Sequence, residues 1–245
     1  MKYNGFYLVG NYPDPKKFLQ AAITGLQYFD FIEIGLPFSD PVADGPVLSA
    51  AAHKALKNGT TTQSVLDSIC QLKEYMDKHN VDKKIYIMTY ANKVFHNGIE
   101  YNLKNFAGCG VNGIILADVP FVESQRFATV TKQCGLDYIH FITPESIEQQ
   151  IKETCVQANG FIYTISMRGT TGSSLILSDE VKNIIILAKQ HAIVPVVLGF
   201  GIQNKTDAQQ ALTFTDGFII GTALVKKLEE GFNSYKQFVE ELMMG

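Results

Sequence analysis

The sequence predicts an α/β fold in which about eight parallel strands alternate with helices. Three observations carry this reading. Short apolar runs recur along the chain, each followed by a segment with apolar residues at helical spacing. Most of these runs are apolar throughout, as strands buried on both faces are. Gly, Pro, Asn, Asp or Ser punctuates most of the boundaries.

The elements follow in order. Phe6-Tyr7-Leu8-Val9 is the first strand. Asp14 is placed to cap the next helix, with Pro15 at its first position, and that helix runs to about Tyr28. Phe31-Ile32-Glu33-Ile34 is the second strand, followed by a Pro- and Gly-rich loop. A helix over about 47–57 stops at Asn58-Gly59, and another places Val65, Ile69, Leu72 and Met76 on one face. Ile85-Tyr86-Ile87-Met88 is the third strand, with a loop over 89–98 and a helix near 99–107. Residues 113–118 form the fourth, and its helix gathers Phe127, Val130 and Cys134.

Residues 138–142 read as the fifth strand. Thr143-Pro144 then predicts a helix start, with Ile147, Ile151, Cys155 and Ala158 in register. Residues 161–166 are the sixth strand, and a loop rich in Gly, Thr and Ser reaches Ser178. Ser178 or Asp179 caps a helix whose core face is Val181, Ile184, Ile185 and Ala188. Residues 194–198 are the seventh strand, ending in Gly199-Phe200-Gly201, and a short helix covers about 206–212. Gly217-Phe218-Ile219-Ile220 is the eighth, and helical segments run through Lys227 and over 233–243. Eight near-equal βα units in 245 residues predict one domain, a single (β/α)8 TIM barrel with extra helices. An open doubly wound sheet is the alternative; in both, the strand-to-helix loops form one functional face.

Composition narrows the function classes. A chain 46% hydrophobic and 18% charged is globular rather than disordered. A net charge of −3 with no basic stripe argues against a dedicated nucleic-acid binder. No apolar run is long enough to cross a membrane, and MKYNGFYLVGNYPDP carries no signal-peptide pattern. Cys70, Cys109, Cys134 and Cys155 form no CxxC, and the five histidines are scattered. No metal site and no disulfide framework are therefore expected, and a reducing cytoplasm is the default.

The chemistry centres on residues 31–46, FIEIGLPFSDPVADGP. Glu33 interrupts an apolar strand, so it needs a partner or a raised pKa. Quiet pairing with a buried cation is the ordinary explanation, but its position at a strand's C-terminal end is where parallel folds place catalysis. Asp44 follows on the loop, and the two carboxylates suit acid and base roles. Asp40 in Ser39-Asp40-Pro41 reads equally as a turn former, and Asp118 is ambiguous in the same way. Tyr90 and Tyr163 lie near strand ends, where a tyrosine is usually core unless the ligand is aromatic. Gly169-Thr170-Thr171-Gly172, Gly199-Phe200-Gly201 and Gly221-Thr222 follow the last three strands. Glycine turns and a helix start at Thr222 predict a phosphate site. The residues alone predict a barrel acting on a phosphorylated small molecule by acid–base chemistry.

The motifs extend this. EIGLPFSDPVADGP at 33–46, MTYANKVFHNGI at 88–99, LADVP at 116–120, GFIYTISMRGTTG at 160–172, GFGI at 199–202 and GTALVK at 221–226 occur in order along nearly the whole chain. Together they resemble the tryptophan synthase alpha subunit family. The resemblance implies retro-aldol cleavage of indole-3-glycerol phosphate to indole and glyceraldehyde 3-phosphate. It implies Glu33 as the general acid–base and Asp44 as the partner of the indole N–H. Tyr163, Tyr90, Thr171 and Phe200 would contact or line the substrate site, and Gly172, Gly201, Gly221 and Thr222 would hold the phosphate. Asp40, Pro41, Asn92, Phe95 and Pro120 would face a beta subunit in an α2β2-type heterotetramer. Pyridoxal phosphate is expected only in that partner, with no cofactor or metal here. A stand-alone lyase and a catalytically weak, allosteric alpha subunit are the alternatives.

The chain departs from the family pattern in several places. Only four residues precede Gly5, where the family has a helix covering the barrel floor, so the floor is expected to be shorter or covered differently. Gly10-Asn11-Tyr12 stands for a Thr-x-Gly turn, and Met167-Arg168 for an Arg directly after the strand-six serine. Thr222 keeps the hydroxyl of a usual serine, while Lys93 and Val122 replace a common Pro and Glu.

Overall fold

The computed structural model describes residues 2–166, 175 and 177–244. Among the described residues, nine strand segments run parallel: β1 (Gly5–Val9), β2 (Phe31–Gly35), β3 (Lys84–Thr89), β4 (Gly113–Leu116), β5 (Asp137–Tyr138), β6 (His140–Ile142), β7 (Ile162–Ile165), β8 (Val196–Gly199) and β9 (Gly217–Ile220). Their order is β5-β4-β3-β2-β1-β9-β8-β7-β6. The two ends, β5 and β6, are halves of one strand interrupted at Ile139, whose N–H still donates to the Ile114 carbonyl at 3.0 Å. The sheet therefore comes round on itself as a nearly closed barrel with eight strand positions.

Alternation within each strand explains the apolar runs. Tyr7, Phe31, Tyr86, Met88, Ile115, Ile139, Phe161, Tyr163, Val197 and Ile219 point inward and form the barrel's own core. Phe6, Leu8, Ile32, Ile34, Ile85, Ile87 and Ile114 point outward and pack under the helices. Both faces are dry, so neither needs polar residues. Glu33, on the inward face, is a carboxylate buried in such a strand.

The helices are α1 (Pro15–Gly25), α2 (Pro46–Lys57), α3 (Thr62–Lys78), α4 (Ala91–Phe95), α5 (Ile99–Gly108), α6 (Phe121–Gln133), α7 (Glu148–Gln157), α8 (Asp179–His191), α9 (Lys205–Ala211), α10 (Thr222–Glu230) and α11 (Phe232–Met244). Asp14 caps α1 by accepting from the Lys17 N–H, and Ser178 caps α8 by accepting from Val181. Two expectations shift. The stretch over 89–98 contains α4, whose first N–H, on Ala91, donates to Asp118 Oδ1 at 2.8 Å. α7 starts at Glu148, because Thr143 and Ser146 bond to each other in a turn of their own. That leaves Ile147 as an exposed cap and Ala158 beyond the helix end.

Aromatic residues fill the barrel floor. Tyr3 stacks on Phe31 at 4.8 Å and its hydroxyl meets that of Tyr86 at 3.2 Å. Phe161 completes the cluster, 4.9 Å from Phe31. The expectation about the cysteines is corrected. Cys70 on α3 and Cys109 after α5 form a disulfide across a separation of 39 residues, with Cα atoms 4.7 Å apart. The two helices lie side by side, and spacing along the chain carries no sign of that.

Candidate functional site

Parallel pairing lines up Tyr7, Glu33 and Tyr86 on β1, β2 and β3. Glu33 is thereby held inside the barrel and is fully buried. Neither of its carboxylate oxygens has a hydrogen-bond partner among the described residues. Burial without compensation disfavours the charge, so its pKa lies well above the ordinary carboxylate value.

Asp44 reaches the same space from the loop between β2 and α2. Burial pushes its pKa up to about 6, while a hydrogen bond from the Tyr90 hydroxyl, at 3.2 Å, opposes the rise. The two acids thus sit in different environments, one dry and unpartnered, the other hydrogen-bonded at the rim. Such a pair can divide proton donation and charge stabilisation between them.

The opposite wall is built by the turns after β8 and β9. Phe200 and Gly201 both take positive φ, 68° and 85°. Ser166 Oγ donates to the Phe200 carbonyl at 3.0 Å and pins this turn. Gly221 precedes α10 and has no side chain to cap it, and the first-turn N–H groups of such a helix start can bind an anion.

These pieces line one cavity, formed by Tyr7, Glu33, Asp44, Leu48, Met88, Tyr163, Phe200, Gly201, Ile202, Gln203, Ile219, Gly221 and Thr222. Seven expected site residues therefore meet there: Glu33, Asp44, Tyr163, Phe200, Gly201, Gly221 and Thr222. Tyr90 does not line this cavity and lies behind Asp44 instead. Asp40, Asn92, Phe95 and Pro120 are exposed on the rim, with Pro41 partly so. Thr171 and Gly172 fall outside the described residues. A neighbouring, wider cleft shares Met88 and Phe200 with the cavity and opens past Phe141 to Pro120.

Sequence reasoning passed over Tyr7, Leu48, Met88 and Gln203. Tyr7 had a usable signal: it stands at the same register level as Glu33, one strand away. Leu48 and Gln203 come from helix and loop positions that only the closed barrel brings inward.

A family model described as tryptophan synthase alpha chain matches residues 6–244. The chain belongs to the tryptophan synthase alpha chain family. A family member from Caldicellulosiruptor bescii is 34% identical over 236 residues, 96% of this chain and 89% of the relative. The fold superposes on a Mycobacterium tuberculosis tryptophan synthase structure with a TM-score of 0.87 at 28% identity, covering 100% of this chain and 93% of that one. It also matches a chain of the Pyrococcus furiosus tryptophan synthase α2β2 complex, with a TM-score of 0.86 at 26% identity over 98% and 97% of the two chains. As a tryptophan synthase alpha chain family member the protein is an enzyme. Among the described residues no helix is long and apolar enough to cross a membrane, and no cluster of His, Cys, Asp and Glu is placed to hold a metal ion.

Proposed function

We propose that this chain cleaves indole-3-glycerol phosphate to indole and glyceraldehyde 3-phosphate. The observation that carries the reading is Glu33: a buried carboxyl with no hydrogen-bond partner among the described residues, in one cavity with Asp44 and the N-terminus of α10. Burial disfavours the Glu33 anion and raises its pKa well above the ordinary carboxylate value, which suits the carboxyl to proton donation. It gives its proton to C3 of the indole ring, and the ring becomes cationic. Asp44, ionised above about pH 6, accepts a hydrogen bond from the ring N–H and stabilises the charge.

The bond from C3 to the hydroxyl-bearing side-chain carbon then breaks. Its electron pair returns to the ring and restores aromaticity. The hydroxyl loses its proton to the Glu33 carboxylate, and its carbon becomes the aldehyde. Gly201, Gly221 and Thr222 hold the phosphate at the far wall, which fixes the breaking bond near Glu33. Each step uses this chain's own groups.

We also assign the rim with Asp40, Pro41, Asn92, Phe95 and Pro120 to a tryptophan synthase beta subunit, which would carry pyridoxal phosphate and receive the indole. Val42 on the acidic loop and Val122 at the start of α6, 65% and 76% exposed, add apolar surface to the same rim. Glu33→Gln tests the chemistry. It keeps the volume but cannot cycle the proton, so indole release should fall about 10²–10⁴-fold with the circular dichroism unchanged. Turnover near that of the unmodified chain would remove Glu33 from the role.

A further inference from the structure

A second set of contacts runs behind Asp44, away from the cavity. Tyr90 lies between β3 and α4 and is buried. Its hydroxyl sits between two atoms of the acidic loop, donating to Asp44 Oδ2 at 3.2 Å and accepting from the Ala43 N–H at 3.2 Å. A phenol can donate once and accept as well, so both contacts are made together. The Tyr90 ring stacks on Phe38 from the same loop, with centroids 5.1 Å apart and planes at 27°. Phe38 in turn lies within cation–π range of Lys93 on α4, whose Nζ is 5.9 Å from the ring centre. The acidic loop is therefore held at two points, at Phe38 and at Ala43-Asp44, by one tyrosine.

We propose that Phe38, Tyr90 and Lys93 form a clamp that positions Asp44, with Tyr90 as the positioning residue and Lys93 as its anchor on the rim. The proposal rests on the reading of Asp44 as the acid that meets the indole N–H. Packing alone would need only the ring of Tyr90, which phenylalanine supplies; the hydroxyl is directed to the carboxylate and to the N–H beside it. The anchor is on the exposed side of the barrel mouth, next to Asn92, so whatever docks on α4 meets the clamp.

Among the described residues, the other titratable groups that face Asp44 are Tyr7 from β1 and Tyr163 from β7, and Glu33 from β2 lies in the same cavity. None of them is cationic. Among the described residues, Tyr90 is thus the group whose hydrogen bond favours the Asp44 carboxylate against desolvation. Without it the carboxyl holds its proton to higher pH.

The test is a carbon-13 NMR titration of the Asp44 carboxyl in the full chain, with the signal assigned by its loss in Asp44→Asn. Tyr90→Phe should move the titration up by about one pH unit, the scale of one hydrogen bond to a charged group. Phe38→Leu and Lys93→Met should move it the same way by less, and Lys93→Arg should restore the original value. An unmoved titration in Tyr90→Phe overturns the clamp, even where all variants lose thermal stability. Should Phe38→Leu fail to fold, Tyr90→Phe and the Lys93 pair still decide. A second arm follows indole release from indole-3-glycerol phosphate with and without a beta subunit, where the acid limb of kcat/KM should move with the NMR titration. A shifted titration in a chain that never releases indole keeps the clamp and overturns the lyase reading instead.

Discussion

Glu33 has a thermodynamic consequence that its proposed chemistry requires. A group whose folded-state pKa is raised binds more protons folded than unfolded, so stability falls as pH rises above the unfolded value, 4.5 here. That loss continues until the folded carboxyl itself ionises. Glu33→Gln carries no such penalty. It should match the unmodified chain near about pH 4 and exceed it in melting temperature at about pH 8, by roughly 2–4 °C for each kcal/mol relieved. Equal melting curves at both pH values would mean that Glu33 is ionised and compensated in the fold. Of the site residues, Glu33 and Asp44 were legible because a carboxylate in an apolar strand and another in a Pro-Gly loop are locally anomalous. Tyr90 was legible only as a tyrosine at a strand end. Its partner, Asp44, is 46 residues away in sequence, and register alone does not bring a loop onto a strand end.

At the scale of elements, α10 and the α3–α5 pair show what local pattern can and cannot reach. α10 was readable because Gly-Thr after an apolar run marks a helix start wherever it occurs. A Cβ at Gly221 would lie 3.1 Å from the Tyr7 Cβ, so Gly221→Val crowds Tyr7 at the start of α10. It should weaken binding of glycerol phosphate about tenfold or more, the scale of one or two lost hydrogen bonds, and leave indole binding within a small factor. Equal loss of both ligands in calorimetry would mean a collapsed cavity. The disulfide is the opposite case. Cys70 and Cys109 read as isolated because only packing of α3 beside α5 brings them together. In non-reducing buffer Cys70→Ser should lower unfolding stability by roughly 2–4 kcal/mol, the usual contribution of a loop of this length. Reducing agent should erase the difference, and a difference that survives reduction would point to packing of the sulfur instead. The short α4 escaped pattern reading for a similar reason: Asp118, which accepts from its first N–H, belongs to the loop after another strand.

At the scale of the molecule, the barrel separates a rigid floor from a rim that touches solvent. Tyr3, Phe31, Tyr86 and Phe161 interlock below, and Glu33 is fixed on the strands above them. Asp44 is different, because it rides on a loop. That loop is held by short local bonds, Val42 to Asp40 and Asp44 to Pro41, by His53 against the Ser39 carbonyl, and by Tyr90. Asp40 and Val42 on the same loop are exposed. A beta subunit seated on them would act on the loop that carries the acid, and a ligand in the cavity would act on it from within. Two binding events that favour one loop conformation must strengthen each other, and by the same factor. A non-cleavable glycerol phosphate analogue should therefore tighten beta-subunit binding about 5–150-fold, the usual span of such coupling. The partner should tighten analogue binding equally. Isothermal titration of each ligand with and without the other measures both arms. Affinities that do not change in either arm would mean that the loop is already set in the isolated chain, and would favour a lyase that works without a partner.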